Sequence, residues 1–210
     1  MAPRLSEDEV DDILYLSRVG DNGDLSDFLN ALAEREKVSL ADILITAKNK
    51  AKSTGLHMAA GNGHLGKFGR PAFACLTSLN MSATSTADHT LETVRTLLQC
   101  FDGKPKEEKQ AFVDEANEHG NTGLHWAALG GHLDTVKLLM EHGASPALAN
   151  ESNYVPLDLA NLNDKREVAQ FFLSTVGMLE DGHGDSGLAN ATQSIDLTGD
   201  DDEHGEAKAA

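Results

Sequence analysis

One stretch of this chain occurs twice. Thr54-Gly55-Leu56-His57-Met58-Ala59-Ala60-Gly61-Asn62-Gly63-His64-Leu65 returns as Thr122-Gly123-Leu124-His125-Trp126-Ala127-Ala128-Leu129-Gly130-Gly131-His132-Leu133. The copies differ mainly at Met58/Trp126, Gly61/Leu129 and Asn62/Gly130. Such self-similarity belongs to folds in which each unit buries its apolar face only against its neighbours. Within the second copy Leu124, Ala127 and Ala128 fall at helical spacing, and the alanines permit close helix approach. Gly130-Gly131 allows a tight turn, Leu133, Val136, Leu139 and Met140 give a second apolar stripe, and Gly143 suits a helix C-cap. The spacing therefore predicts a helix hairpin for each copy.

A third, degenerate copy opens about 33 residues after Thr122, with Val155-Pro156-Leu157-Asp158-Leu159-Ala160, then Glu167-Val168 and Phe171-Phe172-Leu173. The pattern and its period resemble the ankyrin-repeat family. That family usually has proline before the Leu-His pair; Gly55 and Gly123 stand there instead, which loosens those helix starts. Ahead of the first clear copy, Ile13-Leu14-Tyr15-Leu16, Val19-Gly20, Leu25, Phe28, Leu29 and Leu32 read as a polar-faced capping pair. The expected architecture is an all-α ankyrin solenoid of about four helix-hairpin units over residues 9–174, with residues 1–8 disordered and a disordered acidic tail over 175–210. The Lys104-Pro105-Lys106-Glu107-Glu108-Lys109 stretch reads as an exposed connector extending one finger.

The first copy is interrupted. Gly131-His132-Leu133 runs straight into Asp134-Thr135-Val136-Lys137, but the match to that continuation after Gly63-His64-Leu65 is Glu92-Thr93-Val94-Arg95, beyond residues 66–91. Insertions in repeat proteins normally enter between units, so one inside a hairpin calls for another account. Two readings stand open. In the first, residues 66–91 are a retained intron: codons for Gly66-Lys67, Ala87-Asp88 and Leu91-Glu92 can spell a donor, a branch site and an acceptor, and joining restores Leu65-Glu92. In the second they are a genuine surface loop.

Composition bounds the function. Acidic residues outnumber basic ones by 34 to 17, for a net charge of -17. That field opposes nucleic-acid phosphates and anionic membranes and suits a basic protein partner. The charged start and the lack of a long apolar run predict a cytoplasmic and nuclear protein. Two cysteines, Cys75 and Cys100, make neither a disulfide framework nor a zinc cluster. Gly61-Asn62-Gly63-His64-Leu65-Gly66 matches a dinucleotide fingerprint, but no strand precedes it. Gly184-Asp185-Ser186-Gly187 looks like a protease nucleophile loop, yet sits where nothing preorganises an oxyanion hole. No catalytic residues, cofactor or metal site are expected; the chain reads as a monomeric binding protein, not an enzyme.

After Gly177 the chain carries nine acidic residues against one lysine. Within that tail Ser194-Ile195-Asp196-Leu197-Thr198, followed by Asp200-Asp201-Asp202-Glu203, resembles a SUMO-interacting motif. Strand addition would place Ile195 and Leu197 in apolar pockets and set Asp196, Thr198 and the acidic run against a basic rim. The other reading is a plain solubilising tail.

The ankyrin resemblance implies where a partner lies. His57, His64, His125 and His132 take the family positions whose imidazoles bond adjacent turns, and the residues after the signature histidine face the concave groove. This assigns Met58, Asn62, Trp126 and Leu129 to the groove, with Trp126, the only tryptophan, as anchor. Asp114, Glu115, Glu118 and Asn121, on the finger leading into that unit, are placed to meet cations. Asp12-Ile13-Leu14, Ala111-Phe112-Val113 with Asn117, and Gly120-Asn121-Thr122-Gly123-Leu124-His125-Trp126-Ala127 resemble the Yar family of yeast ankyrin chaperones over residues 10–174. Membership would imply a chaperone of small-subunit ribosomal protein three, moving between cytoplasm and nucleus. The alternative is a general ankyrin scaffold recruiting SUMO-modified partners.

Overall fold

A computed structural model describes residues 3–61 and 86–180, with side chains through residue 61 and from 91 to 175. Every element among the described residues is helical: α1 (Glu7–Val19), α2 (Asn22–Glu36), α3 (Leu40–Thr46), α4 (Gly55–Ala60), α5 (Thr86–Gln99), α6 (Lys106–Val113), α7 (Gly123–Gly130), α8 (Leu133–Glu141), α9 (Pro156–Leu162) and α10 (Arg166–Glu180). Residues up to Thr175 form one compact unit; of the second, from Val176 on, only the end of α10 is described. The tail with Ile195, Asp196, Leu197 and Thr198, groove candidate Asn62, and residues 66–85 of the interruption lie outside the described residues. The remainder of the interruption, residues 86–91, forms the first turns of α5.

The inner helices stack in the order α1, α4, α7, α9, while α2 packs on α5 and α5 on α8 behind them. Close stacking follows from the side chains. Ala59, Ala60, Ala127 and Ala128 are at most 1 % exposed and hold the inner helices near one another. Leu56 and Leu124 fill the space between layers and are equally buried, each contributing about 2 kcal/mol. Gly55 and Gly123 are explained by this contact. A Cβ on Gly55 would lie 2.7 Å from Ser17 Oγ, and one on Gly123 would lie 3.2 Å from Leu56 Cγ. They mark close approach of neighbouring units, where the sequence had suggested looser helix starts.

Two segments depart from the expected outline. The start is ordered from Pro3: Ser6 and Glu9 form a capping box on α1, and Arg35 of α2 ties down Glu9 and the Arg4 carbonyl, while Glu36 accepts the Arg4 N–H. The Arg35 hydrogen bond holds the Glu9 carboxyl at about 2, well below the usual carboxylate range. The connector after α5 does expose residues 105–108, but it also folds into α6. Phe112 of α6 stacks on Phe101 with ring centroids 4.6 Å apart, both rings buried, so the connector adds to the core.

Candidate protein-binding surface

Each repeat starts with a finger built on an asparagine. Asn49, Asn117 and Asn150 each donate their backbone N–H to the carbonyl four residues on, at 3.1, 2.9 and 3.0 Å. In return their side-chain oxygens accept the N–H of Ser53, Asn121 and Tyr154. Just before each closing residue the chain enters the left-handed region, at Lys52 (φ 57), Gly120 (φ 74) and Asn153 (φ 60). Successive fingers are joined by backbone bonds from Glu118 N–H to the Ala51 carbonyl and from Glu151 N–H to the His119 carbonyl. The three asparagines stand five positions before Thr54, Thr122 and Val155, a regularity readable in the sequence but missed there.

Beneath the fingers, the signature histidines join one unit to the next. Thr54 N–H donates to His57 Nδ1 at 3.1 Å, which leaves the proton on Nε2, and Nε2 donates to the Asn121 carbonyl at 2.9 Å. His125 repeats this with Thr122 N–H at 3.1 Å and the Tyr154 carbonyl at 3.1 Å. Burial pushes His57 down to about 4 and lowers His125 as well, so both are neutral at pH 7. These two imidazoles act as the resemblance implied; His64 lies outside the described residues.

The finger candidates divide between internal and free roles. Asp114 accepts the Ser145 N–H at 2.8 Å, and Glu115 pairs with Lys48 at 2.7 Å. Asn121 accepts from Asn150 Nδ2 at 2.8 Å. These three therefore brace neighbouring fingers, which the sequence did not anticipate. Glu118 is exposed beside His119. Nor is the finger row uniformly acidic: the first finger carries Lys48, Lys50 and Lys52, and the next carries Glu115 and Glu118.

Along the inner helices, Met58, Trp126 and Leu129 are half-buried. Aligning the helix ends extends this into a row. Gly20 and Gly131 cap α1 and α7 with φ 79 and φ 81, which makes Tyr15 the counterpart of Trp126. One period on from Trp126 stands Leu159, also half-buried. The row Tyr15, Met58, Trp126, Leu159 is thus apolar in every unit, and Tyr15 is 55 % exposed with the Arg18 guanidinium 5.7 Å from its ring centre. Trp126 lies over Gly61, where a Cβ would stand 3.2 Å from the ring, and its covered Nε1 has no hydrogen-bond acceptor among the described residues. No group of three or more metal-ligating side chains occurs among the described residues.

The ankyrin pattern, described as ankyrin repeats in three copies, matches residues 79–178. Over 92% of this chain and 82% of its relative, the sequence is 30% identical to the ankyrin repeat-containing protein YAR1 of Saccharomyces cerevisiae. The chain belongs to the ankyrin-repeat family. A crystal structure of the yeast ribosomal protein Rps3 in complex with its chaperone Yar1 contains a chain matching this one with a TM-score of 0.62 and 32% identity, over 82% of this chain and 95% of that one. An Arabidopsis thaliana ankyrin protein, ITN1, is 35% identical over 44% of this chain but only 15% of its own length. Similarity to the yeast ankyrin protein thus spans nearly the whole solenoid, while that to ITN1 covers less than half of this chain.

Proposed function

We propose that this ankyrin protein is a chaperone that shields a basic ribosomal protein, small-subunit ribosomal protein three, during ribosome biogenesis. It acts by binding, without catalysis, as a monomer that moves between cytoplasm and nucleus. The near-full-length similarity to yeast Yar1, whose structural counterpart is bound to Rps3, carries this reading. The physics agrees with it. A ribosomal protein away from its RNA has unpaired cations, and a chain of net charge -17 attracts it at long range. The apolar row centred on Trp126 then supplies short-range contact. Groove candidates Met58, Asn62, Trp126 and Leu129, with Glu118 at the finger tip, are the residues on which we place the client.

The test uses purified small-subunit ribosomal protein three at low salt. The wild-type chain keeps it soluble and binds it with an affinity that falls steeply as salt rises, and Trp126→Ala weakens binding at least tenfold. Client that precipitates equally with and without the chain would overturn the proposal. The scaffold reading rests on the Ile195 to Glu203 motif; loss of SUMO-modified partners on its deletion, with ribosomal protein three never recovered, would favour it.

A further inference from the structure

Interior units and the N-terminal cap differ at two positions of one helix face. Gly55 of α4 lies against Ser17 of the preceding α1, and Gly123 of α7 against Leu56 of the preceding α4. Four residues on, Ala59 and Ala127 lie on the same side of their helices and are buried. The alignment through Gly20 and Gly131 puts Asp12 and Leu16 of α1 at these positions. An aspartate and a leucine where the interior has glycine and alanine leave no room for another unit at solenoid spacing.

What the cap offers instead is a groove of about 450 Å³ between α1 and α2, lined by Asp12, Tyr15, Leu16, Asp24, Asp27 and Phe28. Leu16 and Phe28 are half-buried against the core and form an apolar floor. Asp12, Asp24 and Asp27 are exposed, and among the described residues none has a side-chain hydrogen bond or an ion pair. Apolar floor and open carboxylates together fit an apolar side chain flanked by lysines or arginines. A second copy of this chain, at net charge -17, is repelled, as are phosphate backbones and anionic lipid. Tyr15 belongs both to this groove and to the apolar row of the inner helices, so the two surfaces are continuous.

We propose that this end face docks a second, cationic amphipathic segment of the same client that lies along the Trp126 row, the client chain passing over Tyr15 onto Leu16 and Phe28. The client's identity rests on the chaperone reading; the chemistry of the groove does not. Full-length wild type, Asp12→Lys/Asp27→Lys, Asp12→Asn/Asp27→Asn and Trp126→Ala are titrated calorimetrically with small-subunit ribosomal protein three, after circular dichroism melts show that each folds. Expected is a loss of at least tenfold for the lysine pair and a smaller loss for the asparagine pair, both with a shallower salt dependence than wild type. If both pairs bind within twofold of wild type while Trp126→Ala is weakened, the chaperone reading stands and the end-face site falls. If the wild type does not bind, the chaperone reading falls, and a synthetic helical lysine-leucine peptide titrated into the ¹⁵N-labelled chain decides the groove. Shifts at Tyr15, Leu16 and Phe28 that vanish in the lysine pair then support it, and their absence overturns it.

Discussion

The units begun by α4 and α7 share nearly the same sequence, and comparing them separates what repetition preserves from what it releases. Their buried parts repeat the same contacts: the threonine-to-histidine bond measures 3.1 Å in both, and the imidazole reaches the next finger at 2.9 Å in one and 3.1 Å in the other. Their surface parts diverge, with Met58 against Trp126. Stacking requires the same groups in the same places at every layer, so the interface between layers cannot drift, whereas the face turned outward is free to become a binding surface.

That contrast is breakable. The largest expected effect comes from His57→Ala and His125→Ala, each of which leaves a buried threonine N–H without its acceptor, removes the link to the next finger's carbonyl and opens a cavity in the core. Each costs about 4 kcal/mol in urea unfolding. A difference between them above about 1 kcal/mol would show that the two layers are not equivalent.

Next comes acid. His57 titrates at about 4 in the fold and near 6.5 unfolded, so the unfolded chain binds more protons between those values. Stability is full above about pH 6.5 and falls by roughly 3 kcal/mol as the pH drops toward 4. His125, lowered in the same direction, adds to this loss, and in His57→Ala the slope shrinks to that remainder. A stability flat from pH 7 to pH 4.5 would remove the buried-imidazole account.

Glycine substitutions sharpen the comparison. At Gly55 an added Cβ meets Ser17 Oγ, whose hydroxyl donates to the Ile13 carbonyl at 2.7 Å, and Gly55→Ala should cost about 2 kcal/mol. At Gly123 the neighbour is the buried Leu56 side chain at 3.2 Å, a looser contact than at Gly55, and a helix-propensity gain of up to about 1 kcal/mol offsets part of the crowding, so Gly123→Ala should cost less than Gly55→Ala. Thermal melts that reverse this order would refute the stacking argument. The smallest effect belongs to Trp126→Phe, which keeps a ring over Gly61 and removes the covered, unpartnered N–H. It should leave stability unchanged or raise it by up to about 1 kcal/mol and weaken binding of the proposed client by less than the tenfold or more expected for Trp126→Ala.

The repeat register, the histidine positions and the all-helical outline were readable because stacking forces identical residues into equivalent places. Harder to read was anything set by one unit's contact with another. Asp114 and Glu115 look like free acidic groups in sequence, yet they are consumed by Ser145 and Lys48, residues distant along the chain. Helix α6 hides behind a charged, proline-containing start, and burial of Phe112 and Val113, with Phe112 stacked on Phe101, explains why it folds. Tyr15 escaped notice because the cap lacks the Leu-His signature, and its place in the apolar row appears only when Gly20 and Gly131 are seen to end equivalent helices. The finger asparagines were visible but unremarked, since their periodicity falls outside the Leu-His pattern.

The histidine links also set an order of assembly. His125 reaches a carbonyl 29 positions away, but His57 must reach one 64 positions away, because residues 66–91 and a longer connector before Thr122 lie between them. Closing the longer span costs about 0.7 kcal/mol more chain entropy before any contact forms. Folding should therefore begin in the α7 to α10 half and reach α4 last, with the α1–α2 cap, closed locally through Arg35 and Glu9, waiting as a preformed lid for the final layer. A transcript lacking the codons for residues 66–91 would remove most of that delay, so the length of this one segment is the largest single control on how long the first repeat stays unstacked.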